Sequence, residues 1–137
     1  MPARIAVVHD EIEFTDRISA ALRRAGYDVE SFHEPLVALR TLERPHSADI
    51  LITACVRNSR TQPHGVALAL MAKVKRPDIK VVFMAHPELI EYASEVGVAL
   101  PIPISLAALV AAVHRLLEPP AAFAGQLPTE AATRQRN

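Results

Sequence analysis

RIAVVHDEIEFTDRISAALRRAGYDVESF, residues 4–32, is the stretch that decides the fold. Ile5 to Val8 is an unbroken apolar run, as expected of a strand buried on both faces. Phe14, Ile18, Ala21, Leu22 and Ala25 then recur at helical spacing. Gly26 suits the cap of that helix, because a left-handed conformation is cheap only for glycine. Tyr27 to Phe32 reads as a second, more polar strand at a sheet edge. Strand, helix, strand in so short a span predicts parallel pairing through a crossover helix.

The same alternation runs on. Pro35 fits the first turn of a helix with apolar positions Leu36, Leu39 and Leu42. Ile50 to Val56 is the next buried strand, followed by the polar loop Arg57 to His64. Gly65 opens a helix carrying Val66, Leu70, Met71 and Val74, ended by Arg76-Pro77-Asp78. Val81 to Met84 is a fourth strand. Leu89, Ile90, Ala93 and Val96 mark a fourth helix closed by Gly97. Val98 to Ile102 is a fifth strand, and Ser105 is the expected N-cap of a last helix, Leu106 to Leu117. The pattern predicts an α/β, flavodoxin-like (βα)5 three-layer sandwich on a five-stranded parallel sheet. The domain should occupy residues 1–118. From Pro119 the composition turns to Pro, Ala, Gly, Thr, Gln and Arg, which predicts a flexible C-terminal tail over 119–137.

Composition narrows the function classes. The 15 basic and 15 acidic residues cancel, so nothing steers the chain toward nucleic acid or an anionic membrane. Four Phe, two Tyr and no Trp are thin material for stacking bases. The pairs Arg23-Arg24 and Arg134/Arg136 read as a solvated helix face and a tail. The single cysteine, Cys55, excludes an internal disulfide, fits a reducing compartment and reads as a small core residue. The N-terminal apolar run is too short for a signal peptide or a membrane span, so the expectation is a stand-alone, soluble cytoplasmic protein.

In this topology ligands sit at the carboxyl ends of the central strands. Those ends are His9-Asp10-Glu11, Ala54-Cys55, Ala85-His86 and Ile102-Pro103. RIAVVHDE, ADILITACV, RPDIKVVFMAH and GVALPIPISLAAL, in that order, resemble the corresponding pieces of a response-regulator receiver domain (CheY-like), over residues 4 to about 117. The resemblance implies two-component, phosphorelay signalling. It also implies an acidic pair holding magnesium, an aspartate that accepts phosphate, a sensing hydroxyl and a lysine. At those places stand His9 with Asp10, then Ala54, Ala85 and Ile102, so the chain resembles a pseudo-receiver. Glu11 completes the altered pocket. Asp10 is the only retained ligand position, so magnesium binding is expected to be weak or absent, with no other metal and no cofactor.

A lone Asp10 calls for a cationic or hydrogen-bonding partner, and Arg57, Arg60 and His86 are the candidates. His9, Asp10, Glu11, His64 and His86 match no compact metal motif and read as hydrogen-bonded polar residues of an altered site. A cis peptide is expected before Pro103. The last helix is apolar nearly all round, so Leu106, Leu109, Val110 and Val113 are expected to form an interaction face, for a homodimer or a partner. Ala121, Ala122 and Phe123 of the tail are an alternative cover.

The resulting expectation is a receiver-like module without enzymatic activity that binds proteins independently of phosphorylation. Its partner would be a histidine kinase, another regulator, a signalling protein or its own copy, with no nucleic acid and no membrane. Two alternatives stay open here. One is a phosphorylatable regulator with a shifted acceptor, since Thr53 and Asp49 lie close to Ala54 in sequence. The other is a small-molecule or metal sensor on the same fold.

Overall fold

The computed structural model describes residues 2–55 and 65–117. Along the chain run β1 (Arg4–Val8), α1 (Ile12–Arg24), β2 (Asp28–Phe32), α2 (Pro35–Leu42), β3 (Ile50–Ala54), α3 (Gly65–Lys75), β4 (Lys80–Ala85), a 3-10 turn (Pro87–Leu89), α4 (Ile90–Ser94), β5 (Val98–Pro101) and α5 (Leu106–Leu117). All strand pairs are parallel, in the order β2-β1-β3-β4-β5. The order reverses between β1 and β3, which opens a crevice beyond their carboxyl ends.

Alternate residues of the central strands feed two cores. Ile5, Val7, Ile50, Ile52, Val82 and Met84 pack with Ile18 and Leu22 of α1 and Leu109 and Val113 of α5. Ala6, Val8, Leu51, Val81, Phe83 and Ala85 pack on the other side with residues of α2, α3 and α4. Both faces are covered, which is why β1, β3 and β4 read as continuous apolar runs. β2 is an edge strand and alternates, with Asp28 and Glu30 exposed. Gly26 has φ 101°, the left-handed turn expected after α1. Ser105 caps α5, its Oγ accepting the Ala108 N–H at 3.1 Å. The Ile102-Pro103 peptide is cis, as expected.

Three expectations about helix faces are corrected. On α5, Leu109 and Val113 are wholly buried core residues, and Leu106 and Val110 are half-buried against the same core. The outward residues of α5 are Ala107, Ala108, Ala111, His114 and Arg115, so of the four residues expected at an interaction face Leu109 and Val113 serve the core, while Leu106 and Val110 line a surface groove with Ala107 and Ala111. On α3, only Val66 of the four expected core positions faces inward. It is joined by Leu68, Ala69 and Ala72, while Leu70, Met71 and Val74 face out. On α2, Pro35, Ala38 and Leu42 are buried and Leu36 is 48% exposed. An all-apolar helix carries no phase from which the buried face can be read. The expected tail and Arg57, Arg60, His64 and Val56 lie outside the described residues.

Candidate functional site

Parallel pairing brings four strand ends together. Ala54 is opposite Met84, and Ala85 is opposite Pro101. Two bonds extend these ladders past the strands: Cys55 N–H to the Met84 carbonyl at 2.9 Å, and Ile102 N–H to the Ala85 carbonyl at 2.9 Å. On the other flank the His9 N–H donates to the Phe32 carbonyl at 3.1 Å. Ala54 and Ala85 are buried, Ile102 is 36% exposed, and Asp10, Glu11 and His86 are exposed.

His9 is held by its surroundings. Its Nδ1 accepts the Glu11 backbone N–H at 3.0 Å, which requires that nitrogen to be unprotonated and places the ring proton on Nε2. The ring meets Phe14 edge-on, with centroids 4.7 Å apart. The Arg17 guanidinium lies 5.6 Å from the Phe14 centroid on α1. The His9 carbonyl is in turn engaged by His33 Nδ1 at 3.1 Å. His9 thus orders the turn into α1, where Thr15 Oγ1 also donates to the Glu11 carbonyl at 2.8 Å.

Between α1 and the β5–α5 loop lies a cleft of about 280 Å³. Phe14, Met84, Ile102, Pro103, Ile104 and Leu106 make it mostly apolar, with His9, Glu11 and Arg17 on its rim. Sequence reading missed this cleft. Its apolar residues come from α1, β4 and the β5–α5 segment, and only the three-dimensional fold unites them. Its volume falls just below the roughly 300–1,000 Å³ typical of small-molecule sites. That size suits one or two protein side chains better than a whole cofactor. A second cleft of about 380 Å³ lies at the opposite, amino edge of the sheet, with Arg4, Asp28, Glu30, Thr41, Arg44 and Ser47 among its walls. Its mixed charges match no single ligand class, and ligands of this topology bind at the carboxyl edge.

Solved structures settle what the architecture is. A response regulator receiver protein from Sinorhizobium medicae WSM419 superimposes with a TM-score of 0.74, over 85% of this chain and 94% of that one, at 25% identity. The fold is that of a response-regulator receiver. A receiver domain protein from Clostridium thermocellum gives a TM-score of 0.74 at 23% identity, over 84% and 94% of the two chains. The BeF3-activated DrrB receiver domain gives 0.72 at 22%, over 85% and 98%. No family model matches the chain, and no curated protein matches it in sequence.

The receiver fold implies a magnesium ion at the β1 and β3 ends, and the residues here do not fit it. Magnesium wants hard oxygen ligands in octahedral array. His9 offers an imidazole whose Nδ1 is already engaged, and Ala54 offers no side-chain ligand. Among the described residues no three His, Cys, Asp or Glu side chains converge to hold a metal ion. Asp10 is engaged in an interaction within the fold, and two of its three expected partners, Arg57 and Arg60, are outside the described residues.

The neighbouring oxygen nucleophile and carboxylate are both committed elsewhere. Thr53 is fully buried and its Oγ1 donates to the Ala54 carbonyl at 3.2 Å. Asp49 precedes β3 at the amino edge, where its Oδ2 accepts the Arg4 N–H at 3.0 Å. The five residues of β3 separate it from the strand's carboxyl end by about 16 Å.

Cys55 is 2% exposed, and burial pushes its thiol above the ordinary range. Less thiolate at neutral pH and little access predict slow alkylation. Iodoacetamide should label Cys55 slowly in the native protein and quickly in urea, as read by intact mass over time. Equal rates in both states would contradict this placement.

No helix among the described residues is long and apolar enough to cross a membrane.

Proposed function

We propose that this chain is a pseudo-receiver of two-component signalling: a protein-interaction module that works without phosphorylation. The observation that carries this is the chemistry at the strand ends. Ala54, Ala85 and Ile102 stand where a receiver carries its acceptor, its sensing hydroxyl and its lysine, and none of them can attack, donate or neutralise. With neither nucleophile nor cation, the phosphoryl chemistry has no protein groups to run on. The shifted-acceptor alternative loses its two candidates, since Thr53 is buried and bonded and Asp49 is at the wrong edge.

In place of the ionic pocket there is an apolar cleft walled by Phe14, Ile102 and Ile104. Such a surface suits an aliphatic or aromatic anchor of a partner protein, with Glu11 and Arg17 at the rim for orientation. The partner class is a histidine kinase, another response regulator or a similar signalling protein. Tagged protein serves as bait for extracts of the source cell, in EDTA and again in magnesium with beryllofluoride. The same partner should be recovered equally in both and lost with Ile102→Glu. A partner captured only with magnesium and beryllofluoride would overturn the reading.

A further inference from the structure

We draw no further inference here: the strongest candidate, the open groove between α1 and α5 walled by Ala21, Tyr27, Leu106, Val110 and Ala111, carries nothing, because nothing in the structure shows what covers it.

Discussion

Leu109→Ala is expected to lower the unfolding free energy by about 2–5 kcal/mol. Ala108→Glu, one residue earlier, should cost no more than about 0.5 kcal/mol. Leu109 is wholly buried between the sheet and α1, in the cluster with Ile18, Val82 and Met84. Its truncation leaves a cavity that the close-packed strands cannot collapse. Ala108 faces water, and its N–H donates to the capping Oγ of Ser105. A glutamate there completes a Ser-x-x-Glu capping box, which favours the helix and offsets the loss of alanine's helix propensity. Urea denaturation of the two variants, at unchanged m-value, checks both numbers. Equal losses would mean that α5 is rotated from the orientation described here.

Gly65→Ala is the second large effect, at about 3 kcal/mol of destabilisation. A β-carbon at residue 65 runs into the carbonyl oxygen and carbon of Ala54, with the Cys55 Cα 3.1 Å away. The obstacles are backbone atoms of a central strand, so no side chain can swing aside. Alanine in a helix would ordinarily gain about 0.5–1 kcal/mol over glycine, so the steric term decides the sign. The first turn of α3 is pinned to the end of β3, where the Gly65 N–H also donates to the Cys55 carbonyl at 3.0 Å. The variant's melting temperature should fall, whereas the exposed Ala67→Glu leaves it unchanged. A Gly65→Ala protein as stable as wild type would show that α3 does not sit on Ala54.

These effects also mark what the sequence made legible. Ile5 to Val8, Ile50 to Ala54 and Val81 to Met84 announce buried parallel strands, because a strand covered on both faces has no polar alternate positions. Ser105 and Leu106 to Leu117 locate α5 to the residue, because a cap and a proline at 119 bracket it. The strand ends, and so Ala54, Ala85 and Ile102, follow from the same pattern. Helix phase did not follow. With Val66, Leu68, Ala69, Leu70, Met71, Ala72 and Val74 all apolar, α3 has two eligible faces, and packing against β3 selects the one richer in small residues. Likewise Leu109 and Val113 pass for a surface stripe until the sheet is in place. The cleft at Phe14, Met84 and Ile104 had no sequence signal, because it joins residues from three distant elements.

The central claim is that the strand ends carry no phosphoryl acceptor. Intact mass spectrometry after incubation with acetyl phosphate and magnesium tests it directly. The account predicts an unchanged mass for the wild-type chain under conditions that load an intact receiver. A stoichiometric gain of one phosphoryl group, removed by hydroxylamine as an acyl phosphate is, would contradict it and place an aspartyl acceptor in this chain.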